Sequence, residues 1–80
     1  MNSKQRRTER RAWLHEPQNR KEVQTLLGAL LIGERVYSTD MTLAEYRVRV
    51  EAVFHAEDGK LLDEWRQVTD KGMRYFRGEI

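Results

Sequence analysis

Few side chains in this sequence could support acid–base or metal chemistry, and they are scattered. The two histidines are His15, beside Glu16, and His55, which precedes Glu57 and Asp58. A metal site needs three or four converging ligands, and no second histidine or cysteine lies close to His55 in the sequence. The five glycines stand apart, so no phosphate-binding glycine loop is formed. We therefore expect no enzymatic activity, no metal and no other cofactor.

Basic side chains are more numerous than these candidate catalytic and metal-binding groups, and they are concentrated near the start of the chain. Residues 1–21 hold seven basic and two acidic residues, whereas residues 22–80 hold eight basic and eleven acidic ones. A basic arm on a mildly acidic body is typical of a segment that binds a polyanion, although such an arm can also serve solubility alone. The arm residues expected to contact nucleic acid are Lys4, Arg6, Arg7, Arg10 and Arg11.

Length and composition indicate one small domain. Eighty residues of which 39% are hydrophobic and 35% charged fit a globular domain with a charged tail. The apolar run LLGALLIG is far shorter than the ~20 residues that cross a bilayer, so no membrane association is expected. Cysteine is absent, which excludes disulfides, and the residues after Met1 do not form an export signal. We expect a cytoplasmic protein.

The pattern divides the chain into a basic arm, residues 1–18, and a compact domain, residues 19–80. Pro17 should end any helix in the arm, and Trp13 is expected to dock on the body. A helix is predicted over residues 19–33, with Asn19 and Glu22 as a capping box and Gly33 as a left-handed stop. The apolar spacing of this helix is i, i+3, i+4, i+7, i+8, which marks it as the core element.

Residues 45–55 are ambiguous, because their apolar residues fit both a strand and a helix. Apolar residues at every second position would form one face of a strand. The spacing of a helical stripe is instead followed by Leu43, Tyr46, Val50, Val53 and Phe54. A capping-box pattern at Thr42 and Glu45 favours the helix. Further along, Asp58-Gly59 and Gly72 are typical of hairpin turns, so strands are predicted at residues 61–68 and 73–80.

Two folds of the α+β class fit these elements. The first is a winged-helix-like domain, with a helical N-terminal half and a C-terminal antiparallel β-hairpin. The alternative is a helix packed on a three-stranded antiparallel meander with strands near 45–55, 61–68 and 73–80. The two folds share the first helix and the terminal hairpin.

Several short motifs resemble a small winged helix-turn-helix group common in phages and prophages. The matching pieces lie within residues 22–80: Gly33-Glu34-Arg35, residues 38–40, residues 49–54, Glu64-Trp65, and Gly72 with Arg74-Tyr75. Between Arg35 and Arg49 the chain is short for the second helix, turn and third helix of that group. The resemblance favours the winged-helix fold over the meander.

The resemblance implies a small regulatory protein that binds duplex DNA, with one helix in the major groove. Besides the arm, the residues expected to contact DNA are Arg47 and Arg49 on that helix and Lys71, Arg74 and Arg77 on the wing. The alternative function is a small inhibitor or adaptor that docks on a larger protein partner. Its contact surface would then include Trp65, Tyr75 and Phe76. The sequence leaves the oligomeric state open.

Overall fold

The computed structural model describes residues 12–80 as a small helical domain. Helix α1 spans Pro17–Leu31, α2 spans Leu43–Asp58 and α3 spans Asp70–Phe76. A short helical segment, residues 12–15, precedes α1. Helices α2 and α3 each pack on α1, so α1 is the central element. The predicted arm contacts Lys4, Arg6, Arg7, Arg10 and Arg11 all lie outside the described residues.

Helix α1 begins two residues earlier than the sequence predicts. Pro17 occupies the first helical position, where its fixed φ suits the helix and its missing N–H costs nothing. Glu16 is the N-cap residue, so the prediction of Asn19 as the cap is wrong. The Asn19 side chain instead donates to the Trp13 carbonyl oxygen at 3.0 Å. The predicted stop is confirmed, because Gly33 has a φ of 86° and lies just beyond the helix.

Helix α2 resolves the ambiguity of residues 45–55 in favour of the helix. Thr42 is the N-cap, and its hydroxyl accepts from the Glu45 backbone N–H at 3.1 Å. The Glu45 carboxylate accepts in return from the Thr42 backbone N–H at 3.3 Å, which completes the predicted capping box. Two donors that the first turn leaves unpaired are thereby satisfied. The capping residues, rather than the apolar alternation, decide the structure of this stretch.

The predicted α+β fold is wrong, both as a winged helix with a β-hairpin and as a helix on a meander. Within residues 12–80 there is no sheet, and a single antiparallel bridge joins Leu62 to Val68. The expected last strand is largely helix α3. Thr69 begins this helix, since its hydroxyl accepts from the Gly72 N–H at 3.0 Å. An N-cap therefore stands where the sequence suggested a turn between two strands.

Gly72 is needed for close packing rather than for a left-handed turn. It is buried within α3, and a Cβ built on it would lie 2.2 Å from the Leu61 carbonyl oxygen. Gly59 has a similar role: its φ is −82°, and a Cβ there would lie 2.9 Å from Leu14 Cδ1. Lys60, the next residue, takes the left-handed conformation instead, with a φ of 63°. Gly72 thus allows α3 to approach the Leu61 backbone, and Gly59 leaves room for the Leu14 side chain, contacts that the hairpin prediction did not consider.

The core lies between α1 and α2 and is closed by the segments that flank them. Its buried apolar residues are Leu14, Val23, Leu26, Leu27, Val36, Ala52, Val53, Ala56, Leu61, Leu62 and Tyr75. The indole ring of Trp13 stacks on the His55 ring with centroids 3.8 Å apart, as the expected docking of Trp13 requires. Leu14 is buried as well, so the segment that precedes α1 contributes a side chain to the core.

Candidate nucleic-acid interface

Basic side chains gather around a surface pocket of about 520 Å³ where the helical segment 12–15 meets α3. Residues that line it are Leu14, His15, Leu61, Asp70, Lys71, Arg74, Tyr75 and Ile80. Arg20, from the first turn of α1, reaches the same region through contacts with His15 and Tyr75. We call Arg20, Lys71 and Arg74 the basic cluster. It is formed by two helices that are about fifty residues apart in the chain.

Arg20 is held in place by three neighbours. One guanidinium nitrogen donates to the Ile80 carbonyl oxygen at 2.7 Å and lies 2.7 Å from His15 Nδ1. The guanidinium carbon also lies 4.5 Å from the centre of the Tyr75 ring, a cation–π distance. A fixed, always protonated guanidinium has already lost much of its rotamer freedom, so less entropy is lost when it meets an anion.

Tyr75 ties α3 to the segment that precedes α1. Its ring is buried, and its hydroxyl donates to the carbonyl oxygen of Leu14. Burial raises the pKa of Tyr75 above its ordinary value of 10.0, and the nearby positive charge of Arg20 opposes that shift. Tyr75 thus positions both sides of the pocket.

The raised pKa of Tyr75 predicts a loss of stability at alkaline pH. Because the pKa is higher in the folded state, the stabilisation is complete below about pH 10 and is lost as the pH rises through the folded value. Tyr75→Phe should lower the free energy of unfolding by about 1 kcal/mol at neutral pH, through the lost hydrogen bond. The variant should also show a shallower decline in alkali. Urea unfolding of both proteins from about pH 8 to about pH 11 tests this, and parallel declines would contradict it.

Helix α3 carries two of the three predicted wing cations, and the third, Arg77, is its C-cap, so none lies on a β-hairpin. Lys71 and Arg74 are exposed and line the pocket. Among the ion pairs between residues 12–80, none includes either of them. Arg77 is exposed nearly one turn beyond Arg74, with its guanidinium 3.7 Å from the Glu79 carboxylate. Asp70 also lines the pocket, so the basic cluster has one acidic neighbour.

The two arginines predicted to read DNA bases from α2 have different environments. Arg47 is exposed. Arg49 is buried, and its guanidinium donates to the Glu22 carboxylate at 3.3 Å and to the Val36 carbonyl oxygen at 3.1 Å. The guanidinium is thus engaged in joining α2 to α1 and to the loop between them. Arg49 therefore has a structural role in this fold.

The predicted apolar stripe of α2 lies mostly on the surface. Of its residues, Val53 is buried, whereas Leu43, Tyr46, Val50 and Phe54 are exposed. Of the three aromatic residues proposed for a protein contact, Tyr75 is buried, while Trp65 is 73% exposed and Phe76 is 38% exposed. Sequence reasoning found the stripe but could not show that it faces solvent. No signal in the sequence pointed to Arg20 or His15 as neighbours of α3.

Other kinds of site are not evident within residues 12–80. No group of three or more histidine, aspartate or glutamate residues there is arranged to hold a metal ion. In the same part of the chain, no helix has the length and apolar character that a membrane span requires. Comparison with family models, with curated proteins and with solved structures gave no significant match to this chain.

Proposed function

We propose that the protein binds nucleic acid, most readily duplex DNA, through its phosphate backbone. The observation that supports this best is the basic cluster, which lies beside His15, four residues from Arg11 at the end of the basic segment. Residues 1–11 hold five basic residues and one acidic residue. The arm therefore joins the body where Arg20, Lys71 and Arg74 already concentrate positive charge. Together they make a basic region suited to a polyanion.

The proposed contacts position the protein on DNA without reading its sequence. Base readout requires an element that enters a groove with side chains free to reach base edges. Helix α2 does not suit that role, because Arg49 is engaged with Glu22 and the exposed face of the helix carries a strip of apolar residues. Lysine and arginine at a pocket edge and in an arm suit phosphate oxygens instead. We assign the protein a binding role and no catalytic one.

The charge distribution supports attraction of phosphate by a local group of basic residues rather than by the net charge of the body. Residues 12–80 hold ten basic and twelve acidic residues, so the body as a whole does not attract phosphate. Charges separated by more than the Debye length of about 8 Å at physiological salt interact little, so the local cluster and arm dominate. Nucleic acid as the ligand, together with a sequence free of cysteine, supports a cytoplasmic location.

Charge reversal within the cluster tests the proposal. Arg74→Glu should weaken binding to any duplex by about the same factor and should reduce the slope of log K against log salt by about one. Arg35→Glu is the matched control, because it makes the same charge change at an exposed site beyond the other end of α1. Fluorescence anisotropy with a labelled duplex at several salt concentrations measures both. Equal losses for the two variants, or no loss for Arg74→Glu, would refute a role for the cluster.

A further inference from the structure

The solvent-facing side of α2 carries more apolar surface than a solvated helix needs. Leu43 is 65% exposed, Tyr46 46%, Val50 39% and Phe54 63%. Their spacing of three, four and four residues keeps them on one face of the helix. Buried Ala52, Val53 and Ala56 lie on a different face, against the core. We call these four exposed residues the α2 strip. A continuous strip of this kind marks an interaction surface.

Three residues of the α2 strip, Tyr46, Val50 and Phe54, are symmetric about Val50, whereas the position that mirrors Leu43 holds Glu57. Val50 is the smallest of the four strip residues, and the aromatic residues Tyr46 and Phe54 stand four positions before and after it. When two copies of such a helix pack antiparallel about a two-fold axis at Val50, each Tyr46 meets the Phe54 of the other copy. The small central valines let the helices approach, and the aromatic rings fill the space on either side. The strip is therefore complementary in shape to itself.

The charges beside the α2 strip are arranged in the same way. Arg47 precedes Val50 by three residues and Glu51 follows it by one, and both are exposed on the same flank of the strip. In the antiparallel arrangement a two-fold axis brings equal flanks together, so Arg47 of each copy faces Glu51 of the other. The axial offset is two residues, about 3 Å, which an arginine side chain spans. A parallel pair would place these flanks on opposite sides and form neither ion pair.

We propose that α2 is the interface of a symmetric, antiparallel homodimer with Val50 at the two-fold axis. The occupant is a second copy, because both the apolar strip and its flanking charges are complementary to themselves. One helix per copy makes a small interface, at the low end of the size range of specific complexes, so the dimer is weak and forms at high protein concentration. The inference does not depend on nucleic-acid binding, although a dimer would present two basic arms to one duplex and so strengthen binding.

Two valines on α2 provide a matched pair of variants for the test. Val48 is 49% exposed and points away from the α2 strip, toward a pocket between α1 and α2. Sedimentation velocity over about 5–500 µM should show the wild-type protein and Val48→Asp forming dimers, and Val50→Asp remaining monomeric. Circular dichroism checks that both variants stay folded. The proposal would be overturned if the wild-type protein stayed monomeric over this whole concentration range, whether or not it bound a different protein. Dimerisation by Val50→Asp would also overturn it.

Charge exchange tests the antiparallel direction. Arg47→Glu and Glu51→Arg should each weaken self-association by at least about 5-fold, because each places like charges opposite one another. An equimolar mixture of the two variants should regain dimerisation, since the heterodimer places two glutamates of one variant opposite two arginines of the other. Glu51 also accepts a hydrogen bond from the Trp13 indole at 3.1 Å, so the melting temperature of Glu51→Arg must be checked. A mixture that remains as monomeric as its components would exclude this geometry.

Discussion

Gly72→Ala is expected to lower the free energy of unfolding by about 3 kcal/mol, the upper end of the usual range for an overpacked site. The added methyl carbon would lie 2.2 Å from the Leu61 carbonyl oxygen and 2.9 Å from Val68 Cγ1. The Leu61 carbonyl group cannot easily move, because its oxygen also accepts a hydrogen bond from the Thr69 backbone N–H at 3.0 Å. Helix α3 would have to move away, which would also separate Lys71 and Arg74 from His15. Chemical unfolding in urea measures the change.

Gly28→Ala is the matched control, since Gly28 is also a helical glycine. A Cβ there would lie 3.2 Å from a Phe76 ring atom, and that side chain can rotate because it is partly exposed. The small displacement opposes the gain of about 1 kcal/mol that alanine brings to a helix interior. The net change should stay within about 1 kcal/mol. If Gly28→Ala destabilises the protein as much as Gly72→Ala, the close approach of α3 to Leu61 is not what requires glycine.

Leu27→Ala is expected to cost about 2–5 kcal/mol. Leu27 is fully buried in α1, where it lies in the core between α1 and α2. The lost methyl groups remove apolar contacts and leave a cavity that surrounding side chains fill only in part. A chain of 80 residues has a total stability of roughly 4–12 kcal/mol, so the variant should be largely or partly unfolded on mild heating. Thermal melting followed by circular dichroism measures this.

Leu31→Ala, one turn further along α1, controls for the general effect of removing a leucine. Leu31 is 42% exposed, so its truncation should cost less than about 1 kcal/mol. Similar losses at Leu27 and Leu31 would mean that α1 does not bury the face that the structure assigns to the core.

The bounds of a helix could be predicted from the sequence where its capping residues and a long periodic run of apolar residues indicated the same element. Thr42 and Glu45 marked the start of α2, and Gly33 marked the end of α1. The C-terminal third was predicted wrongly because its signals are short. Seven residues of α3 are too few for a helical period to be distinguished from alternation. Moreover, the glycine at 72 reflects the approach of Leu61, a tertiary contact that no local pattern reveals.

The candidate site was predictable only in part, for a similar reason. Lys71 and Arg74 were identified from their charge and from a supposed wing, but their proximity to Arg20 depends on how α3 packs on α1. Burial of Arg49 depends on Glu22, twenty-seven residues earlier in the chain. The exposure of the α2 strip depends on which face of α2 meets α1. Each of these three features depends on how the helices pack on one another, and the local periodicity of the sequence carries no information about that packing.

The central claim is that this chain binds nucleic acid through phosphate contacts made by its arm and basic cluster. The most direct test is the salt dependence of binding by the full-length protein to two unrelated duplexes of equal length. About eight phosphate contacts, five from the arm and three from the basic cluster, at a slope of about −0.9 each, predict a log–log slope of roughly −7, the same for both duplexes. Absence of binding at about 50 mM salt, or a slope near zero, would contradict the account.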